Sequence, residues 1–393
     1  SLLCIASSYA ISLNGVEYTI DTLSMFPAGP GTTYYELRLL RADNGKGRLD
    51  AFLLAVDTRD PYVKVEQVLG TGKITGTETP SKMATRSTTE NKIFFAGANG
   101  DFFTTQDDQS TSAYHEVGLP VSTTIVNNEY AHTPIANRTK RRLGAIDADG
   151  KGITANKHSI SMNLVLADTT LEIKHANYLR KDNELVLYNI HNGTTTATNA
   201  YGTEVQIQLL DGEKWQTSGT MRAKVTKVED QVGSMPLDKD HAVLSGHGTM
   251  ATELLKLKVG DEITLDFEIK FDDELVNIAQ AIGSDNYTQI LVNGVVAQDG
   301  FWNELHPRTG FGASFTRDTV YMLVVDGRGV STGCTTKVLA EILQHYGAYN
   351  AVNWDGGGSS CVYVRPLGPM NNGSDGQERA CGNGMFAVAQ VPE

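Results

Sequence analysis

The sequence has few cysteines, no long apolar segment and no excess of basic charge. It contains 4 cysteines among 393 residues, too few for a disulfide scaffold. No run approaches the roughly twenty apolar residues that a membrane-spanning helix needs. The net charge of -13 argues against nucleic acid or an anionic membrane as the main partner. A protein this acidic would need locally concentrated arginine or lysine to handle an anionic substrate.

Several catalytic and cofactor signatures are also missing. The sequence has neither a Walker motif nor a dinucleotide fingerprint, and no His or Cys pair has zinc spacing. The run Gly-Val-Ser-Thr-Gly around Ser331 resembles the nucleophile elbow of serine hydrolases, but no histidine follows Asp355 as that fold requires. A serine hydrolase is therefore the least favoured function. Ser331 is better interpreted as a polar group that opens the next helix and offers its hydroxyl to an anion.

The composition, with 40% apolar and 20% charged residues, is that of a globular protein with a real core. Alternating apolar residues predict strands at 16–20, 34–40 and 62–68. A short helix is predicted within 79–89 after the turn at Pro80. We therefore predict an α+β fold, with a mixed β-sheet core, packed helices and a β-rich inserted segment.

The C-terminal hundred residues carry the strongest local pattern. The nearly all-apolar run Val320–Val325 predicts a strand that is buried on both faces. Apolar spacing over 335–346 predicts an amphipathic helix, and a second strand is expected at 351–354. This order is typical of a βαβ unit with two adjacent parallel strands. Asp326 and Asp355 would then lie at the same edge of the sheet, where ligands usually bind.

Asp355 is followed by three glycines, Gly356, Gly357 and Gly358, and by the hydroxyls of Ser359 and Ser360. Consecutive glycines are kept where the chain turns tightly or where another group comes close. Exposed N–H groups beside hydroxyls suit an oxyanion. A simple Asp-Gly turn between strands is the structural alternative, but the nearby Asp, Arg and Asn motifs favour a site.

Two carboxylates and three arginines suggest the type of substrate. Paired carboxylates such as Asp326 and Asp355 can act at an anomeric carbon. Arginines such as Arg308, Arg328 and Arg379 can hold a phosphate with paired hydrogen bonds. Together they indicate a substrate that contains both a sugar and a phosphate. Structural ion pairing is the alternative, because it explains most Asp–Arg sets.

Other motifs leave two interpretations open. Asn99-Gly100-Asp101 is either a hairpin turn or a site loop that offers an amide and a carboxylate. His247, between two glycines, either opens a helix or reaches a cleft. The basic cluster 137–142 is either a solvated loop or a phosphate or glycan contact. Asp147–Lys151 favours a hairpin turn over a calcium loop, and a disulfide between Cys361 and Cys381 is undecided.

Taken together, the motifs resemble the phosphodiester glycosidase family (NAGPA domain, formerly a domain of unknown function), which includes the mannose 6-phosphate uncovering enzyme. The resemblance covers about residues 50–393. Trp354 and Cys334 depart from the family pattern, which affects pocket shape but removes no charged group. The matching elements are 99–103, 307–309, 326–333 with the following helix, 350–360, 371–379 and Asn383.

The strand pattern and the resemblance together predict a division into a β-rich segment (1–70), a first part of the glycosidase domain (71–171), a β-rich insertion (172–290) and a C-terminal catalytic part (291–393). It implies hydrolysis of the C1–O bond of a sugar-1-phosphodiester, of the N-acetylglucosamine-α-1-phosphodiester type. A phosphorylated glycan substrate and a secreted, periplasmic or cell-surface location are expected. The sequence requires no cofactor, although a divalent metal beside Asp101, Asp326 or Asp355 is compatible with it.

The same resemblance suggests roles for individual residues. Asp355 is expected to be the nucleophile or the water-activating base, and Asp326 the second carboxylate. Arg308, Arg328 and Arg379 are expected to hold the phosphate. The competing function is a protein that binds sugar phosphates or glycans without turnover. The remaining residues expected to bind substrate are Asn99, Asp101, Thr309, Ser331, Gly356, Gly357, Ser359, Ser360, Asn372 and His247.

Overall fold

A computed structural model describes residues 8–43, 47–106, 116–134, 142–284 and 289–391. It is mostly β, with 49% strand and 9% helix, and the described residues form three short α-helices. The predicted α+β class with packed helices is therefore wrong. The error lies in the helical part of that prediction, because the helices are few and short and strands dominate the described chain.

The strands alternate with short turns along the whole chain. In chain order they are β1 Ser8–Leu13, β2 Val16–Gly29, β3 Thr32–Arg41, β4 Arg48–Asp57, β5 Val63–Leu69, β6 Lys92–Asn99, β7 Thr124–Val126, β8 Glu129–His132, β9 Leu143–Asp147, β10 Gly152–Ala155, β11 His158–Val165, β12 Thr170–Glu172, β13 His175–Ala176 and β14 Leu185–Tyr188. They continue with β15 Gly202–Leu209, β16 Gly219–Asp230, β17 Ala242–His247, β18 Glu262–Phe271, β19 Glu274–Val276, β20 Ile278–Gly283, β21 Leu291–Val292, β22 Val295–Val296, β23 Arg308–Ala313, β24 Thr319–Val325, β25 Asn350–Trp354, β26 Val362–Val364, β27 Gly368–Pro369 and β28 Asn383–Gln390.

The helices are α1 Pro80–Ser87, α2 Thr249–Leu254 and α3 Thr336–His345. Threonine side chains cap α1 and α3, since Thr79 accepts from Lys82 N and Thr335 accepts from Val338 N. Both helices were predicted from the sequence and are confirmed. No helix in the described ranges is long and apolar enough to cross a membrane.

The strands form four sheets. Sheet I has the order β1-β2-β3-β4-β24-β23-β25-β21-β22, and sheet II has β10-β9-β20-β7-β8. Sheet III has β12-β11-β18-β16-β15-β17-β14-β13 with β19 paired to β18, and sheet IV has β27-β26-β6-β28-β5. The hairpin β9–β10 turns at 148–151, so the turn predicted there is confirmed.

Sheet I is covered on both faces, and β24 shows the reason. Met322 and Val324 belong to the cluster that packs against sheets II and IV, whereas Leu323 and Val325 belong to the cluster beneath α3. Because successive side chains of a strand point to opposite faces, an all-apolar strand fits a layer that is covered twice. The predicted burial of this strand is confirmed.

The connection from β24 through α3 to β25 differs from the predicted βαβ unit. The two strands are parallel, but β23 lies between them and pairs antiparallel with each. No strand was predicted at β23, because its sequence has no apolar alternation. Its small residues Gly310 and Gly312 instead let α3 and the loop after it approach the strand closely. The prediction of adjacency is wrong, but both carboxyl ends still lie at one edge.

Candidate active site

Asp326 and Asp355 directly follow β24 and β25 at the same edge of sheet I. One strand separates them, so two strand spacings, about 10 Å, lie between their backbone positions. Asn99, the last residue of β6 in sheet IV, joins this edge because its Nδ2 donates to Asp355 O at 2.7 Å. The edge therefore brings together residues that are far apart in the sequence.

Asp326 is buried and accepts two fixed hydrogen bonds. Asn371 Nδ2 donates to Oδ1 at 2.8 Å, and Asn372 N donates to Oδ2 at 2.9 Å. Burial raises the pKa of Asp326 to about 6, the two donors oppose this rise, and the nearby Asp50 adds to it. Asn372 thus contributes its backbone here, while the side chain of Asn371 holds the carboxylate.

Asp355 is partly exposed, and its partners are a hydroxyl, a backbone N–H and an arginine. Desolvation by the surrounding protein raises the pKa of Asp355 to about 6. Hydrogen bonds from the Ser359 hydroxyl and the Gly356 N–H, together with the Arg379 charge, act in the opposite direction. Its backbone is anchored by the bond from Asp355 N to Gly100 O at 3.0 Å. A carboxyl with this pKa is mostly ionised near neutral pH.

The three glycines are explained by close approaches. A Cβ on Gly356 would lie 2.7 Å from Pro307 O, and Gly357 has a φ of +61° beneath the Arg328 guanidinium. A Cβ on Gly358 would overlap the guanidinium of Arg379. The turn after Asp355 is thus packed between two arginines, as the sequence predicted for a glycine run that lets another group come close.

The three arginines have different surroundings. Arg308 is 1% exposed, donates to Cys334 O at 3.1 Å and Glu304 O at 2.8 Å, and lies over the Trp302 ring. Arg379 pairs with Asp375 at 2.6 Å and contacts Ser359. These contacts make Arg308 the most rigidly held arginine of the site.

Arg328 lies in a left-handed backbone conformation with a φ of 62°, which is strained for a side chain of this size. Its Nε donates to His306 Nδ1 at 3.4 Å. Burial and the charges of Arg328 and Arg308 lower the pKa of His306, which keeps that imidazole neutral. Within the described part of the chain, Arg328 forms no ion pair with a carboxylate.

Asn99 and Thr309 lie under the site in a buried network. Thr309 Oγ1 bonds to Asn99 Oδ1 at 2.9 Å and to Ser360 Oγ at 3.1 Å, and Cys361 N donates to Asn99 Oδ1 at 3.1 Å. Both ends of the Asn99 amide are therefore engaged with protein. This arrangement orients the Asp355 backbone from beneath.

Three other predicted residues lie elsewhere or are already engaged. Asp101 is buried and accepts from Ser122 N at 3.0 Å. Ser331 donates to Asp326 O at 2.6 Å and accepts from Asp50 N at 3.1 Å, which leaves it holding backbone and disfavours a serine nucleophile. His247 ends β17 in sheet III, where its Nδ1 lies 3.4 Å from Asp182 Oδ1.

Sequence reasoning missed Asn371 and His306. Asn371 belongs to the quoted motif, but only its neighbour Asn372 was chosen, although an asparagine side chain can donate and accept at once. Here Asn371 Nδ2 reaches Asp326 and Ser360 O while its Oδ1 accepts from Val362 N at 2.9 Å. His306 stood in the loop before Arg308 but gave no signal from spacing.

Three of the cysteines lie in the described part of the chain. Cys334, Cys361 and Cys381 are buried free thiols, so Cys361 and Cys381 are not bridged.

The described residues contain no group of three or more His, Cys, Asp or Glu that could hold a metal. Of the basic cluster, residues 137–141 lie outside the described residues. A cavity of about 360 Å³ lies apart from the carboxylate edge and is lined by Lys73, Asn177, Tyr178 and Arg180 among others.

The protein is thus mostly β. Its candidate site consists of two carboxylates at one edge of sheet I, with three arginines nearby. Residues 211–388 match the family model of the phosphodiester glycosidases (NAGPA), which confirms the resemblance that the motifs predicted. The matched segment contains Asp326, Asp355, Arg308, Arg328 and Arg379. No curated protein matches the chain.

Two solved structures share the fold at low identity, and a third is less similar. A protein of Burkholderia pseudomallei that is named for its assumed export has a TM-score of 0.65 and 16% identity, covering 97% of this chain and 99% of that one. A hypothetical protein from Synechocystis has a TM-score of 0.60 and 14% identity, covering 98% and 80%. The zebrafish N-acetylglucosamine-1-phosphodiester α-N-acetylglucosaminidase catalytic domain, auto-inhibited by its pro-peptide, has a TM-score of 0.44 and 12% identity, covering 96% and 88%.

Proposed function

We propose that this protein is a secreted or cell-surface hydrolase that cleaves the C1–O bond of sugar-1-phosphodiesters of the N-acetylglucosamine-α-1-phosphodiester type. The observation that carries the proposal is the pair Asp326 and Asp355 at one sheet edge, each with a pKa of about 6. The family match over 211–388 supports the class of reaction.

In the proposed reaction, Asp355 acts at the anomeric carbon as the nucleophile or as the base for a water molecule. When water attacks C1 directly, its oxygen bonds to C1 and its proton passes to Asp355. The C1–O bond breaks and its electron pair stays on the phosphate oxygen. The products are the free sugar and a phosphomonoester. Asp326, held by Asn371 and Asn372, is the second carboxylate and stabilises positive charge at the ring.

The leaving group reduces the need for a strong acid. A phosphomonoester has a second pKa near 6, so its oxygen leaves with little protonation. Catalysis then depends on positive groups that stabilise the negative charge developing on the phosphate. Arg328 and Arg379, which flank the glycine turn, supply that charge, and the buried Arg308 adds to the field. The N–H groups of Gly356 and Gly357 donate to Asp355 and to Pro307 O, so side chains form the anion site.

Hydrolysis of UDP-N-acetylglucosamine in water enriched in heavy oxygen tests the proposal. Mass analysis of both products is expected to find the label on the sugar, because C1 is attacked. Label on the phosphate would mean attack at phosphorus and would overturn the mechanism. Absence of turnover on this and other sugar-1-phosphodiesters, together with binding, would favour a protein that binds sugar phosphates without hydrolysis.

A further inference from the structure

Phe102 and Trp302 form an aromatic pair beside the carboxylate edge. Their ring centroids are 5.6 Å apart at an interplanar angle of 56°, and both residues are partly exposed. Phe102 follows Gly100, whose carbonyl accepts from Asp355 N. The roles described above for the carboxylates, arginines and hydroxyls leave this pair unused.

The chain fixes both rings from the backbone. Trp302 N donates to Thr336 Oγ1 at 3.0 Å, and Thr336 N donates to Trp302 O at 3.1 Å, which ties the indole to the start of α3. Val121 N donates to Phe102 O at 3.0 Å. The neighbouring Phe103 packs against the buried cluster that contains Tyr363 and Cys381. Successive side chains of an extended chain alternate, so Phe102 is directed away from that cluster.

The pair lies against the buried cation of the site. Arg308 Cζ is 5.2 Å from the Trp302 ring centroid, a distance typical of a cation–π contact. The loops that border His306 and Arg328 also carry exposed apolar side chains, with Leu305 55% and Val330 74% exposed. An apolar and aromatic border next to cationic residues suits a ligand with a charged group and a ring.

We propose that Phe102 and Trp302 form a stacking subsite for a ring that is attached to the phosphate on the side away from the hydrolysed sugar. This inference rests on the proposed function. Arg308 lies beside Gly356 of the turn that Arg328 and Arg379 flank, and its guanidinium lies over the Trp302 ring. A substituent on the Arg308 side of a phosphate bound at that turn therefore lies near the aromatic pair. The ligand is therefore a phosphodiester whose second substituent has a flat face, such as a nucleobase, an aryl group or the apolar face of a sugar.

The size of the expected effect follows from ring stacking on aromatic side chains. Such stacking changes affinity by about 10- to 100-fold. Three esters of N-acetylglucosamine-α-1-phosphate, with methyl, benzyl and hexos-6-yl groups, differ in the second substituent while keeping a similar alkyl phosphate leaving group. The wild-type protein is expected to have a kcat/KM for the benzyl ester about 10- to 100-fold above that for the methyl ester. The hexosyl ester shows whether a sugar face is accepted in the same way.

Variants of Phe102 separate stacking from general damage. Phe102→Ala and Phe102→Leu are expected to reduce the benzyl preference to near the methyl value, while Phe102→Tyr keeps it. Phe315→Ala is the matched control, because Phe315 is 73% exposed and pairs only with Tyr349 among the described aromatic residues. Thermal melting checks that each variant folds.

Calorimetric binding of the benzyl and methyl esters to the same proteins gives a readout that needs no turnover. Equal binding and equal kcat/KM for the two esters would overturn the subsite, while hydrolysis of both would leave the proposed function standing. A benzyl preference in binding that Phe102→Ala removes would support the subsite even when no ester is hydrolysed, an outcome that would reject the proposed function alone.

Discussion

The two loops after β24 and β25 present the same chemical group in different settings. Asp326 is buried and held by an amide side chain and a backbone N–H. Asp355 is partly exposed, beside the Ser359 hydroxyl, the Arg379 charge and the Gly356 N–H. Desolvation nevertheless raises both pKa values to about 6. Equal pKa values can therefore accompany unequal exposure and different partners.

This difference assigns distinct roles to the two carboxylates. Fixed donors preorganise a charge and hold it in place. A group that must form a bond or take up a proton gains from partners that can rearrange during the reaction. We therefore expect Asp326 to act as a fixed charge and Asp355 to act at the reacting carbon.

Replacing each carboxylate by its amide is the strongest test of this difference. Asp355→Asn is expected to lower kcat on the order of 10⁴-fold, as loss of a nucleophile or base does. Asp326→Asn is expected to lower kcat by about 10²-fold, because only a stabilising charge is lost. Steady-state kinetics on one phosphodiester measures both, and equal losses would contradict the assignment.

Thermal melting of the same variants is the control for folding, and its pH dependence has a defined sign. A carboxyl whose folded pKa is raised from 3.8 to about 6 stabilises the fold below about pH 4 and loses that contribution as the pH rises through 6. Asp355→Asn should therefore melt above the wild-type protein at pH 8 and close to it at pH 4. Asp326→Asn should melt lower than Asp355→Asn, because its amide N–H₂ would face a fixed N–H donor.

Glycine substitutions compare the loops without touching a charge. Gly358→Ala would push Arg379 away from the turn, since the new Cβ overlaps its guanidinium. We expect kcat/KM to fall by about 10- to 100-fold through loss of phosphate contacts. Gly329→Ala is the matched control in the other loop, where nothing lies within 4 Å of the new Cβ. A similar loss in both variants would mean that general loop damage, rather than Arg379, explains the effect.

The sequence predicted local features better than the pairing of distant strands. The apolar run of β24, the amphipathic helix α3 and the close approaches at Gly356 to Gly358 follow from residue type and spacing. The position of β23 does not, because Arg308 and two glycines give no apolar alternation. Its place between β24 and β25 depends on packing against α3 and sheet II.

The candidate site was predicted unevenly for the same reason. The strand-end positions of Asp326 and Asp355 could be inferred from chain order, because each carboxylate ends a predicted strand. The different hydrogen-bond partners of the two carboxylates could not be inferred. Asn371, which donates to Asp326, lies 45 residues after it in the sequence. Likewise, Asn99 is 256 residues before its partner Asp355. Contacts of this kind arise only when the sheets pack together.

The smallest expected effect is a shift in the pH profile of kcat/KM. The size of this shift in two variants shows which carboxylate controls activity. We expect kcat/KM to rise with pH through about 6, since the ionised carboxylates are the active forms. Ser359→Ala removes a hydrogen bond that lowers the pKa of Asp355, so the acid limb should move to higher pH by up to about one unit. Asn371→Ala removes a donor from Asp326 and should move it less.

Ser374→Ala is the control for the pH profiles of these two variants. Ser374→Ala removes a buried hydroxyl that has no hydrogen-bond partner within the described residues, so its profile should match the wild type. The limb reports the two carboxyls as a coupled pair, which is why the two shifts must be compared with each other. A larger shift for Asn371→Ala than for Ser359→Ala would make Asp326 the carboxylate that governs the limb, and the roles of the two loops would be exchanged.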